Sequence, residues 1–202
     1  MNKSLADYRL LQKWSPRMSG VFSQSDLENL FNEDNPVLLY RRIAALVSNK
    51  ALARFKRGFY VTEPFNLEVL AQRLYPDSYV SLGTVLARRL LIGSVPAKTV
   101  YAVKTGRNRA FISAFGNLIY CGIARRLVFG FEYENGVRYA TAEKAFLDTL
   151  YFYQKGFRFS FNIFGDMDIS RVDKEKVKTF LKQYKNPKFI TFVKGVLSGR
   201  HS

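Results

Sequence analysis

The chain holds one cysteine, one tryptophan and one histidine in 202 residues. A single thiol, Cys121, excludes an intrachain disulfide and any cysteine-based zinc site. It lies in the apolar run Ile119-Tyr-Cys-Gly-Ile123, which predicts a small core residue rather than a nucleophile. The lone histidine, His201, is next to last, where chain ends fray, so neither a histidine-dependent triad nor a histidine-ligated metal centre is expected. No P-loop and no Gly-x-Gly-x-x-Gly pattern occurs. Gly165-Asp-Met-Asp168 contains the Asp-x-Asp pair that can hold Mg²⁺ in nucleotidyltransferases. The Gly-Ser that should accompany it is far upstream at Gly93-Ser94, outside any strand, so Asp166 and Asp168 are expected in a polar turn before a helix. Glu175 and Lys176 are adjacent on a helical stretch and lack the Glu-x-Lys spacing of a nuclease strand. The chain therefore reads as a non-enzyme, with no catalytic residues, no metal and no cofactor. No apolar run approaches 18 residues, and the opening MNKSLADYRLLQKW has no secretory h-region. The expectation is a protein of the reducing cytoplasm with no membrane partner. Low-complexity tracts and repeats of fixed period are missing too.

Acid is also scarce: 16 Asp plus Glu stand against 32 Lys plus Arg, a net charge of +16. Such an excess favours a polyanionic partner, nucleic acid or an anionic surface. It is spread over the chain, with 10 basic and 6 acidic residues in 1–66 and 22 and 10 in 67–202. Apolar residues reach 48% and aromatics 15%, enough for a real core. The length fits one large domain or two small ones. Glu63-Pro64-Phe65-Asn66 supplies the boundary, because proline disfavours helix at the residue before it. The expected fold class is α+β: an N-terminal winged helix-turn-helix over residues 1–63, then a mixed α/β domain over 67–202 with a basic helical tail.

The first segment reads as three helices and a hairpin. Leu5, Tyr8 and Leu11 form a helical stripe that ends by Pro16 and Gly20. Ser23 to Asp26 offers an N-cap for a short helix carrying Leu27, Leu30 and Phe31. Asn35-Pro36 is a second start signal, with a helix following to Asn49. Leu52–Phe55 and Gly58–Thr62 read as a two-stranded ribbon with Lys56-Arg57 at its tip. In the second segment, 67–74 and 81–91 read as helices, and 98–104, 111–114, 118–123 and 137–140 as strands. Residues 127–134 alternate like a strand, and Asn135-Gly136 is the strongest hairpin signal. Thr141 caps a helix to about Tyr153 that buries Phe146, Leu147, Leu150 and Tyr151; 173–184 and 187–197 read as basic amphipathic helices.

Three helices plus a ribbon is the element order of a winged helix-turn-helix, whose third helix enters the major groove while the wing meets phosphate. At 100° per residue Leu39, Ile43, Leu46 and Val47 cluster towards the core. The opposite face carries Val37, Arg41, Ala44, Ala45 and Ser48, with Arg41 near its centre to meet base edges. The expected DNA-binding set is Asn35, Val37, Arg41, Arg42, Ser48, Lys50, Arg54, Lys56 and Arg57. Within it Arg42, Lys50, Arg54, Lys56 and Arg57 are assigned to phosphates. Arg88-Arg89 and Arg125-Arg126 read either as an extension of that phosphate track or as plain exposed charge. Glu143, Lys144 and Asp148 read as a charged outward face or as a polar site, the former preferred because Glu143 suits a first helical turn. Most of the many Phe and Tyr residues are assigned to core rather than to RNA stacking. A protein-interaction module that binds an acidic protein or structured RNA is the alternative to DNA binding.

Three blocks resemble the AbiEi family of antitoxins. Val47-Ser-Asn-Lys-Ala-Leu-Ala-Arg-Phe-Lys-Arg-Gly-Phe-Tyr60 looks like its wing entry. Tyr79-Val-Ser-Leu-Gly-Thr-Val-Leu86 and Tyr139-Ala-Thr-Ala-Glu-Lys-Ala-Phe-Leu-Asp148 resemble two of its helix-opening segments, in the family's order. The resemblance spans roughly residues 20–155 and leaves the tail after about residue 160 uncovered. It implies a type IV toxin–antitoxin role. The winged helix would bind the operator of its own operon as a repressor. The C-terminal domain would counteract a nucleotidyltransferase-like toxin, with no stable complex required. It carries over no catalytic residues. An operator with inverted repeats would suit a homodimer.

Overall fold

A computed structural model describes residues 3–199, leaving out the side chain of Lys3; His201 lies outside the described residues. The chain divides into two compact units, residues 1–70 and 71–202. Among the described residues it is a mixed α+β protein with eight α-helices and two sheets. No helix among them is long and apolar enough to cross a membrane.

The first unit runs α1 (Lys3–Trp14), β1 (Val21–Ser23), α2 (Gln24–Phe31), α3 (Pro36–Ser48), β2 (Ala53–Lys56) and β3 (Phe59–Val61). Its helices start where side chains can satisfy the orphan backbone N–H groups. The Ser23 hydroxyl accepts from the N–H of Asp26 at 3.1 Å, and the Asp26 carboxylate accepts in return from the N–H of Ser23 at 2.6 Å. Asn35 caps α3, its side-chain carbonyl accepting from the N–H groups of Val37 and Leu38 at 2.9 and 3.2 Å. The sheet is antiparallel in the order β1-β3-β2, with Val61 opposite both Val21 and Ala53. The expected two-stranded ribbon is therefore three-stranded. Val21–Ser23 is too short to show alternation, and only its pairing with Phe59–Val61 makes it a strand. The core is built from Leu11, Phe22, Leu27, Leu39, Ile43 and Leu46, all buried. Each such side chain contributes about 1.5–3 kcal/mol of burial free energy.

The second chain segment continues with α4 (Leu67–Leu74), β4 (Tyr79–Val80), α5 (Leu82–Arg88), β5 (Thr99–Thr105), β6 (Arg109–Ser113), β7 (Gly116–Ile123), β8 (Phe131–Glu134), β9 (Val137–Ala140), α6 (Ala142–Gln154), α7 (Lys174–Leu181) and α8 (Pro187–Leu197). One mixed sheet carries the order β6-β7-β5-β4-β9-β8. Its β5–β7 and β4–β9 pairs are parallel and the others antiparallel. The Asn135-Gly136 hairpin forms as expected, both residues at positive φ (49° and 79°), as a tight primed turn demands. The alternating stretch from Leu127 is a strand only from Phe131. Arg125–Leu127 forms a 3₁₀ turn and Gly130 sits in the left-handed region at φ 71°, so extended backbone begins only after it.

Helix α6 is packed by α5, α7, α8 and β9 and is buried nearly all round. This corrects the outward charged face expected for Glu143, Lys144 and Asp148. Lys144 and Asp148 have no exposed side-chain surface and form an i,i+4 ion pair with each other. The Asp148 carboxylate also accepts from the Tyr79 and Ser81 hydroxyls, both at 2.9 Å. The Lys144 ammonium donates to the Tyr184 hydroxyl at 3.3 Å and lies 4.8 Å from the Phe129 ring centroid. Burial pushes the Asp148 carboxyl up and the Lys144 ammonium down, and each opposes the other's shift by its charge. The network ties α6 to Tyr79 of β4, to Ser81 and to Tyr184; sealed from solvent, it meets no outside substrate. Cys121 is buried as expected, and burial pushes its thiol up to about 12. Asp166 and Asp168 serve separate turns: Asp166 accepts from the N–H of Asn162 at 2.7 Å, and Asp168 from the N–H of Ser170 at 3.1 Å.

Candidate nucleic-acid interface

Helix α3 presents what its periodicity dictates. Leu39, Ile43 and Leu46 are buried, Val47 packs against the same cluster, and the opposite arc faces out. Val37 is 59% exposed, and Arg41, Ala45 and Ser48 are also exposed, with Ala44 half-buried. Arg41 is exposed and carries no ion pair among the described residues, which leaves its guanidinium donors open to a ligand. The small neighbours let a ligand approach the helix backbone closely.

Arg42, assigned to phosphate, is not available for it. Its Nε donates to Asp7 Oδ2 at 2.9 Å and its Nη2 to Asp7 Oδ1 at 2.5 Å. Nη1 donates to Glu33 Oε2 at 3.2 Å and to the Phe31 carbonyl at 3.1 Å, and the guanidinium lies 4.7 Å from the Phe31 ring centroid. Hydrogen bonding to Asp7 raises its affinity for its proton further. Arg42 is a structural clamp from α3 to α1. A helical wheel sees only that it flanks the core, not that Asp7 waits on another helix.

Around α3, Lys50 is exposed in a left-handed conformation (φ 56°), and Arg54 and Arg57 are exposed on the β2–β3 hairpin. Lys56 is half-buried. Asn35 is exposed, with its carbonyl oxygen occupied in capping α3. One residue escaped the sequence reading: Tyr40 is 67% exposed. On the wheel it lies about 40° from Ala44 and about 60° from Val37, which was the available signal.

The basic pairs of the second unit separate. Arg88 pairs with Glu134 and lies 4.4 Å from the Tyr139 ring centroid, and Arg89 pairs with Glu132 at 3.7 Å. The acids of β8 thus answer both, and neither is an open phosphate contact. Arg125 and Arg126 are exposed on the 3₁₀ turn without ion pairs among the described residues.

No protein-family profile and no curated protein matches the sequence. Among solved structures, the chain is similar to the RV2827C protein from Mycobacterium tuberculosis, with a TM-score of 0.61 at 10% identity, over 96% of this chain and 81% of that one. At that identity the likeness shows the fold alone.

Proposed function

We propose that residues 1–63 form a winged helix-turn-helix and that the protein is a DNA-binding transcriptional autorepressor acting on its own operator. The observation that carries this reading is Arg41, exposed and without an ion pair among the described residues, at the centre of a small-residue arc on α3. The element order α1-β1-α2-α3-β2-β3 with strand order β1-β3-β2 supports it, as does the exposed hairpin pair Arg54 and Arg57. Arg41 meets base edges, since Arg is the usual bidentate reader of guanine. Lys50, Arg54 and Arg57 hold phosphates, and those contacts fix register without reading sequence. The resemblance of the three sequence blocks extends the reading to an AbiEi-like antitoxin of a type IV system that opposes a nucleotidyltransferase-like toxin. A toxin gene of that kind immediately downstream, and rescue of growth when both are expressed, are the outcomes this extension requires.

The decisive experiment is a shift assay with the DNA upstream of its own gene, against scrambled duplex and competitor RNA. Arg41→Ala should weaken operator binding by about 1–3 kcal/mol and relax preference at one position. Equal losses on operator and scrambled DNA would remove groove reading. A second reading has its own observation: Val37, Leu38 and Tyr40 expose apolar surface along the same helix, as a protein-docking face does. Retention of an acidic protein or structured RNA with no duplex binding would select it.

A further inference from the structure

The second unit holds a concavity of about 350 Å³ ringed by Arg126, Lys155, Lys185 and Lys188, with Tyr151 and Tyr184 among its walls. None of the residues lining it is acidic. All four cations are exposed, and none has an ion pair among the described residues. This sets them apart from Arg88, Arg89, Arg171, Lys144, Lys176 and Lys178, each of which faces a carboxylate. Lys155 is further held by the Tyr151 ring, its ammonium 4.4 Å from the centroid. Four cations lining one concavity with no acid among them repel one another through solvent, most strongly at low salt. An anion of high charge density relieves that repulsion. A single carboxylate leaves most of it standing, and the space is too small for a folded acidic segment.

We propose that this concavity is a polyphosphate site, taking two or more adjacent phosphate groups from either a free nucleoside triphosphate or a nucleic-acid backbone. It goes beyond the groove reading, because it uses no residue of α3 or of the hairpin. Arg126 enters it from the 3₁₀ turn, Lys155 from the end of α6, and Lys185 and Lys188 from either side of Asn186, the residue that caps α8. Phosphate oxygens accept from the four cations, and displaced counter-ions make the binding salt-dependent.

The test is calorimetric titration of the full chain with inorganic tripolyphosphate, ATP and a short oligouridylate. The wild type should bind tripolyphosphate. Lys185→Ala/Lys188→Ala should lose about tenfold or more in affinity, and Lys185→Arg/Lys188→Arg should keep most of it. The charge-preserving pair guards against a folding defect in the alanine pair. ATP tighter than oligouridylate assigns the free nucleotide as the source, and the reverse assigns the nucleic-acid backbone. No binding by the wild type, or equal affinity in the alanine pair, overturns the site. Arg41→Ala should leave tripolyphosphate binding unchanged, and Lys185→Ala/Lys188→Ala should keep the preference for operator over scrambled duplex. Failure of this site and failure of the groove reading are thereby separate outcomes.

Discussion

Helices α3 and α6 are both 13 residues long, and each is capped by a polar side chain one residue ahead, Asn35 and Thr141. They use charge in opposite ways. In α3 a stripe of Leu39, Ile43 and Leu46 is buried and Arg41 stands in solvent. In α6 nearly every residue to Phe152 is buried, Lys144 and Asp148 among them. A solvated charge on a helix costs little and is free to meet a partner. A sealed pair must be matched within the fold, because stranding one member in a low dielectric costs several kcal/mol. On the proposed reading the surface helix is the one that meets another molecule, whereas the central helix holds its own unit together.

The sharpest way to break this contrast is Asp148→Ala. It leaves the Lys144 ammonium buried without its anion and should cost about 3–5 kcal/mol in chemical denaturation. Replacing both residues, as in Lys144→Met/Asp148→Leu, should restore most of that loss. Wild-type stability of the single variant would mean that α6 is not interior. The next effect compares neighbours on α3. Arg42→Ala strands the buried Asp7 carboxylate and should destabilise by about 2–3 kcal/mol, whereas Arg41→Ala should change stability by less than about 0.5 kcal/mol. Equal losses in thermal melts would erase the distinction between clamp and outward cation. A smaller effect concerns the hairpin. Arg54→Ala/Arg57→Ala should leave folding intact and flatten the salt dependence of DNA binding by about one unit per lost phosphate contact. An unchanged slope removes the wing from the interface.

The smallest effect is a pH dependence at the start of α6. Burial pushes the Glu143 carboxyl up, but its own backbone hydrogen bond and the Lys176 ammonium, 3.0 Å away, together hold it below its ordinary value of 4.5. A depressed carboxyl stabilises the fold above pH 4.5, and that contribution fades as pH falls through the folded value. Glu143→Gln should therefore flatten the acid limb of the stability curve. Solvent screening at Lys176 keeps the effect well under about 1 kcal/mol. An unaltered acid limb in urea titrations would show that the pair contributes nothing.

Local chemistry made much of the fold legible. Asn35-Pro36 announced α3, Asn135-Gly136 announced the β8–β9 turn, and Pro187 opened α8, because caps and turns are decided by neighbours in sequence. The stripe of α3 could be read from spacing, and with it the exposure of Arg41 and Ser48. Partners distant in sequence stayed hidden. Arg42 meets Asp7 from 35 positions away, and Asp148 meets Tyr79 from 69. No periodicity encodes those meetings. A clue to the second was present, since Phe146, Leu147, Leu150 and Phe152 leave α6 little polar surface on any side. Of the four cations around one concavity, Arg126 and the basic tail were legible in the sequence, but the meeting of three separate stretches of chain was not.

The parallel pairing of Val80 with Tyr139 has a consequence for synthesis. Parallel neighbours cannot be joined by a tight turn, so much of the second unit must leave the ribosome before β4 acquires its β9 neighbour. All three strands of the first sheet lie within residues 21–61 and can assemble on the nascent chain well before that. At about 5–20 residues per second, β4 waits several seconds with one side unpaired. A message cut short ahead of Val137 would thus release a chain whose first sheet is whole and whose second is open-edged, a form suited to chaperone capture or aggregation.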